Sequence, residues 1–251
     1  MQLLAQAARD LLDLELSEAQ LALFQLYYEE LVRRNAQINL TSILEYDAVQ
    51  IRHFLDSLTL TSPRLRGDPP SQVFDLANAA LVDIGAGAGF PGLPLKILYP
   101  KLQLTLVESV GKKAVFLREI ADKLGFKEVV VLTGRAEDIG QLPQHRACYD
   151  LATGRAVAAL AVLAEYCLPL LKLGGLFIAP KKGDLTTEIA SAQKAIEILG
   201  GKSRSTPAFQ LLSDETATPE ARRFLVVVEK IVQTPLIYPR RAGLPAKKPL
   251  S

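Results

Sequence analysis

Directly after an apolar run that carries Asp83, glycines stand at 85, 87, 89 and 92 in LVDIGAGAGFPGLPLKILYP (81–100). Gly87, Gly89 and Gly92 satisfy G-x-G-x-x-G, and a strand, glycine turn and helix N-terminus can hold a nucleotide-like ligand. That pattern alone does not choose the ligand. Glu108, 23 residues after Gly85, ends the next apolar run, where an acid can accept both ribose hydroxyls. A third run ends in TGRAEDIG (133–140), where Ala136, Glu137 and Asp138 can address an adenine edge. A dinucleotide's pyrophosphate wants several free N–H groups at the helix start. Pro91 and Pro94 remove two of those donors. Asp83 would repel a diphosphate and welcome an aminium or sulfonium. Three acids at three successive strand ends therefore fit S-adenosylmethionine better than NAD.

These residues need a frame. Ser17 and Gln20 form a capping box, and Leu21, Phe24, Tyr28 and Leu31 predict an amphipathic helix over 18–34. NAQINLTS (35–42) breaks it; Asn39 and Thr41 there can cap a helix or touch RNA. Asp47 can cap a second helix of about 48–61, with Ile51, Phe54, Leu55 and Leu58 facing a core and Arg52, His53 and Asp56 on the neighbouring face. PRLRGDPPS (63–71) reads as a linker. Beyond residue 80, short apolar runs at 81–84, 103–107, 129–132, 149–153 and 175–179 alternate with helical segments at 92–99, 111–124, 157–172 and 184–199. That alternation predicts an α/β fold, a parallel sheet with helices on both faces. The run 222–230 is expected to close the sheet in an antiparallel pair with the segment around 208–212. The expected division is a helical cap (1–62), a linker (63–79), the main α/β domain (80–232) and a basic tail (233–251).

Composition narrows the setting. The two cysteines, Cys148 and Cys167, lie 19 apart without a C-x-x-C pattern, which suits a reducing compartment and offers no zinc spacing. The first 20 residues mix acids with apolar side chains and read as an amphipathic helix, not a signal peptide. No apolar run reaches about 18 residues, so a membrane span is not expected. A cytoplasmic protein without a metal follows. Net charge is only +2, yet Lys230 to Ser251 holds five basic residues and no acid. A polyanion partner or a solvated terminus both fit that asymmetry.

Taken together, NLTS (39–42), RHFLDSL (52–58), DIGAGAGFPGLPL (83–95), VESVGKKAVFLRE (107–119), GRAED (134–138), GRAVA (154–158), PKKGD (180–184) and YPRRAGLPAKKPL (238–250) resemble the bacterial small-subunit (16S) ribosomal RNA guanine-N7 methyltransferases, the glucose-inhibited division protein B family. The resemblance implies a class I S-adenosylmethionine-dependent methyltransferase fold, Rossmann-like, with a mostly parallel seven-stranded sheet. It implies a guanine of small-subunit RNA, free or in the 30S particle, as substrate. It carries Gly85, Phe90, Ala136, Glu137 and Arg155 over as cofactor residues, beside Asp83, Gly87 and Glu108 from the residue chemistry. TGRA (153–156) departs mildly from relatives that place Ser before the arginine.

Guanine N7 has a lone pair and no proton, so its methylation needs neither a general base nor a covalent cysteine. In-line transfer by positioning suffices. Arg155, Arg52 and Lys182 are candidates for guanine or phosphate contacts. Arg155, with His53 and Asp56, forms the catalytic set. Arg155 can instead pair with Glu137 or Asp83 to shape the pocket, and His53 with Asp56 can be a buried hydrogen-bonded pair docking the cap. Lys112 and Lys113, then Arg240, Arg241, Lys247 and Lys248 on an extended tail, are further RNA candidates. A monomer is expected.

Overall fold

Ser17 opens the long second helix as its spacing demands. Its Oγ accepts from the Gln20 N–H at 3.2 Å, and Gln20 Oε1 accepts from the Ser17 N–H at 2.9 Å. The structure, a computed structural model, describes residues 1–68, 74–204, 207–211 and 222–250. Part of the expected linker (69–73) and most of the polar stretch before the last strand (212–221) lie outside the described residues.

Helices α1 (Gln2–Leu12) and α2 (Glu18–Ile38) come first. The buried stripe of α2 is Phe24, Tyr27, Leu31 and Asn35, so Tyr27 takes the inward place expected of Tyr28. Next, α3 (Tyr46–Val49) runs without a break through a π-helical stretch (Gln50–Leu55) into α4 (Asp56–Leu58) and a 3-10 turn (Thr59–Thr61). Its cap is Glu45, not Asp47: the two Glu45 carboxylate oxygens accept from the Asp47 and Ala48 N–H groups at 3.0 and 2.6 Å. The wide π turn is a common local feature of functional sites, and it contains Arg52 and His53. The supposed linker begins as a short helix, α5 (Pro63–Arg66), whose Arg66 is buried and bonded to Asp68 and to the Leu60 carbonyl.

The α/β alternation follows: β1 (Ala80–Ile84), α6 (Gly92–Leu98), β2 (Gln103–Glu108), α7 (Gly111–Lys123), β3 (Val130–Thr133), α8 (Ala136–Gln141), β4 (Tyr149–Thr153), α9 (Leu160–Cys167), β5 (Leu171–Lys182), α10 (Thr186–Ile198), β6 (Gly201–Ser203), β7 (Arg223–Lys230) and α11 (Leu244–Lys247). The sheet is seven-stranded in the order β3-β2-β1-β4-β5-β7-β6. β1 to β5 are parallel, while β7 is antiparallel to both neighbours. The partners that close the sheet around β7 are therefore β5 and β6. Among the described residues, the segment around 208–212 joins β7 by the isolated Phe209–Arg223 bridge and not as a strand.

Strand order reverses between β1 and β4, which is where an open α/β sheet leaves a crevice beyond its carboxyl ends. The two sheet faces carry two cores. Leu4, Phe24, Phe54 and Leu58 share one with Leu81 and Leu104, so residues 1–62 pack as an outer layer of the sheet. α9 and α10 cover the other face.

Residues 233–250 are not an extended arm. The Arg146 guanidinium donates to the carbonyls of Tyr238 (2.7 Å), Thr234 (2.8 Å) and Pro235 (3.0 Å). Gln141 Nε2 donates to the Pro239 carbonyl at 2.5 Å. The chain thus turns back over α8 and α9.

Candidate active site

The glycine turn is shaped by what lies under and over it. Gly85 has φ +68, and a Cβ there would stand 2.6 Å from Val157 Cγ2. Gly89 has φ +98, and a Cβ there would stand 2.6 Å from the Tyr27 hydroxyl. That hydroxyl donates to the Ala88 carbonyl at 2.5 Å, with the Tyr27 ring stacked 5.4 Å from Phe90. Both positions demand glycine, for left-handed backbone and for space. Sequence alone does not single out Tyr27, because α2 offers two adjacent tyrosines and only packing selects which turns inward.

Asp83 differs from expectation. It is fully buried beneath the turn, where its Oδ2 accepts from the Gly92 N–H at 2.9 Å. Pro91 has no N–H, so Gly92 supplies the first donor after it. Burial pushes the Asp83 carboxyl up to about 7, against the pull of the Gly92 N–H and the Arg155 charge. Its Oδ1 is buried without a partner. Glu108 is tied to the turn: its oxygens accept from the Gly87 N–H (2.9 Å) and the Val110 N–H (2.7 Å). Of the three acids, Glu137 is the one that lines the crevice.

That crevice measures about 240 Å³ and is lined by Gly85, Gly134, Ala136, Glu137, Val157 and Ala246, among others. Glu137 Oε1 accepts from Tyr166 Oη (3.3 Å) and from the Gly243 N–H (2.8 Å). Burial and the Glu137 carboxylate raise Tyr166 to about 12, which keeps it a donor. A methyl donor bearing an adenosyl group and a cationic sulfur fits this lining. It offers a side-chain-free turn at Gly85, the Glu137 carboxylate and few free N–H groups for a diphosphate.

A second cavity, about 410 Å³, adjoins it and is lined by Arg52, His53, Asp56, Arg155, Lys182 and Phe209, with Lys181 and Phe224 on its wall. Arg155 Nη1 meets Asp56 Oδ2 at 2.8 Å and the Arg52 carbonyl at 3.2 Å; Nη2 meets His53 Nδ1 at 3.1 Å. The guanidinium also lies 5.0 Å from the Phe90 ring centroid. Neither Glu137 nor Asp83 is its ion-pair partner. Nor do His53 and Asp56 bond to each other: both hold Arg155. Arginine only donates, so its contact needs an unprotonated His53 Nδ1, whereas the Arg52 carbonyl, 3.2 Å from the same nitrogen, can only accept; Nε2 meets Thr41 Oγ1 at 2.8 Å. Burial, and then the Arg155 charge, lower His53 to about 3.

The two cavities share a wall. Arg155 and Ala156 line the larger, Val157 and Ala158 the smaller. Ala156 has φ +57, a left-handed alanine that turns successive side chains to opposite sides. Helix α9 consequently starts later than the expected 157.

Arg52 and Lys182 are exposed on the larger cavity's rim. Lys112 and Lys113 occupy the first turn of α7, and Arg241, Lys247 and Lys248 are exposed on the folded tail. Arg240 is committed inward: Nε and Nη2 grip the buried Glu165 at 2.9 and 2.6 Å, and its backbone N–H donates to the same carboxylate. Glu165 reads as one more residue of an apolar helix, with no sequence cue for this partner. Among the described residues, no group of three or more His, Cys, Asp or Glu is placed to hold a metal, and no helix is long and apolar enough to cross a membrane.

Comparison with known proteins agrees. A Corynebacterium glutamicum protein of known crystal structure is similar in fold, with a TM-score of 0.50 at 18% identity over 83% of this chain and 91% of that one. A ribosomal RNA small subunit methyltransferase G from Dehalococcoides mccartyi is 48% identical over 239 residues, 95% of each chain. The protein of that name from Desulforamulus reducens is 43% identical over 251 residues, 99% of this chain and 97% of its own. The family model described as GidB, rRNA small subunit methyltransferase G, matches residues 20–216, and the chain belongs to that family.

Proposed function

We propose that this S-adenosylmethionine-dependent rRNA methyltransferase modifies N7 of one guanine in small-subunit ribosomal RNA, by direct in-line transfer without a covalent intermediate. The observation that carries the reading is the shared wall. One loop, Arg155 to Ala158, separates an acid-lined crevice over the glycine turn from a basic cavity wide enough for a purine.

Gly85, Gly87 and Phe90 would hold the donor at the turn, and Glu108, Ala136 and Glu137 would hold its nucleoside. Asp83 acts from beneath, closing the turn on Gly92. The donor supplies an electrophilic methyl group on a cationic sulfur. The chain's own task is then to orient an extruded base. Phe209 and Phe224 offer apolar surface, and Arg52 and Lys182 offer charge to flanking phosphates. Arg155 has five N–H groups. Three are committed to Asp56, Arg52 and His53, which leaves hydrogens on Nε and Nη2 for the O6 edge. A guanidinium on O6 leaves N7 open to the methyl carbon.

His53 is held neutral and hydrogen-bonded at both ring nitrogens, so it positions Arg155 and takes no proton. That suits N7, which has none to give. The basic rims formed by Lys112, Lys113, Arg241, Lys247 and Lys248 would follow the RNA backbone. The enzyme works as a cytoplasmic monomer without a metal. Tritium-labelled donor, incubated with small-subunit RNA or 30S particles lacking N7 methylation and followed by base mapping, tests the reading. Label on one guanine N7 is expected; label on another atom, or none, overturns it.

A further inference from the structure

The folded tail reaches the wrong place for an arm that only follows RNA. Arg240 and Glu165 pin it to α9. Pro239 packs on α8, where a Cβ on Gly140 would stand 2.7 Å from Pro239 Cγ. Beyond these anchors the chain turns at Gly243, with φ +79, and α11 brings Ala246 onto the wall of the glycine-turn crevice. The turn also delivers the Gly243 N–H to Glu137 Oε1 at 2.8 Å. Both hydrogen bonds that Glu137 accepts among the described residues fall on that one oxygen. The carboxylate is therefore held by a fixed edge, with Oε2 left over for a ligand.

We propose that the tail is part of the methyl-donor site. Arg240 is a latch, Gly243 positions the Glu137 carboxylate through its backbone N–H, and Ala246 forms one wall around the donor's adenosyl group. This rests on the methyl-donor reading above and adds to it a segment that lies beyond the part of the chain matched by the family model. The preceding contacts explain why a chain rich in Pro, Lys and Arg folds at all: its anchors are carbonyls read by Arg146 and Gln141 and a carboxylate buried in α9.

The full chain, a chain ending at Tyr238, Arg240→Ala and Ala246→Trp should be titrated with S-adenosylmethionine by calorimetry, with thermal melts alongside. Ala246→Trp leaves the latch intact and fills the wall. It is expected to weaken donor binding about tenfold or more with an unchanged melt, and to raise the donor KM while kcat moves little. The truncated chain and Arg240→Ala should lose donor affinity in the same direction. If truncation prevents folding, Ala246→Trp decides. Donor affinity equal to wild type in Ala246→Trp overturns the proposal and leaves the methyl-transfer reading standing. A wild-type chain that binds no donor overturns both.

Discussion

Arg155 Nη1 lies 2.8 Å from Asp56 Oδ2, a bond between residues 99 apart that ties the helical layer to the end of β4. With His53 on Nη2 and the Phe90 ring 5.0 Å away, the guanidinium is held on three sides before any ligand arrives. Such preorganisation makes a side chain a precise orienting group.

Arg155→Ala should therefore cut methyl transfer on the order of a hundredfold, the scale of a missing positioning group. The melting point should fall far less, because both partners are near the surface of the cavity and can take up water. Arg155→Lys keeps charge without the planar fork, and should fall in between. Initial rates at saturating donor, with melts on the same samples, check this. A collapsed melt with normal residual turnover would reverse it.

Gly85→Val should abolish donor binding. Its side chain would need a left-handed backbone and would meet Val157 Cγ2. Calorimetry with S-adenosylmethionine reads the result, and wild-type affinity would place the crevice elsewhere.

Phe209→Ala and Arg52→Glu both alter the larger cavity and leave the glycine turn alone. Each should raise the KM for RNA by about tenfold while donor affinity holds. Arg52→Ala should also flatten the salt dependence of RNA binding by about one unit of slope, as expected when one phosphate is no longer neutralised. Filter binding across salt concentrations measures it.

The buried Asp83 makes stability depend on pH with a definite sign. Its folded value of about 7 exceeds its ordinary 3.8, so the folded state holds the proton more tightly. Its stabilising contribution is complete below 3.8 and is lost as pH rises to about 7. His53, lowered to about 3 from 6.5, runs the other way, losing stability as pH falls from 6.5. Between 3.8 and 6.5 the two oppose each other. Asp83→Asn should then remove one slope and expose the other, with the stability of wild type relative to the variant falling by up to about 1.4 kcal/mol per pH unit between pH 4 and 7. Denaturant melts across pH provide the comparison; a pH-independent difference would refute the assignment.

Where the structure departs from what the sequence predicts, packing is the reason. Tyr28 and Tyr27 sit equally well on a helical wheel, and the Ala88 carbonyl chooses between them. Asp47 is of the residue type expected at a cap, but the helix starts one residue before it, and Glu45 is the residue with two N–H groups in reach. Position along the strand puts Asp83 among open carboxylates; its side chain instead lies buried under the turn, where it accepts from the Gly92 N–H. The basic run of the tail puts Arg240 on RNA, because nothing local marks Glu165 as its partner 75 residues away.

Local chemistry settled much in advance. Alternating apolar runs specify a mostly parallel sheet because period-two and period-3.6 patterns bury different faces. Glycines that let backbone approach closely, with prolines where a phosphate would need donors, favour a nucleoside ligand over a diphosphate one; the Asp83 charge does not make that choice, because it lies under the turn. Which polar groups meet across the chain was decided only by the tertiary structure. Arg155 with Asp56 and His53, Val157 above Gly85, and the tail against Glu137 each join segments brought together by the sheet's topology. Their partners are set by three-dimensional distance and desolvation, which no spacing along the chain encodes.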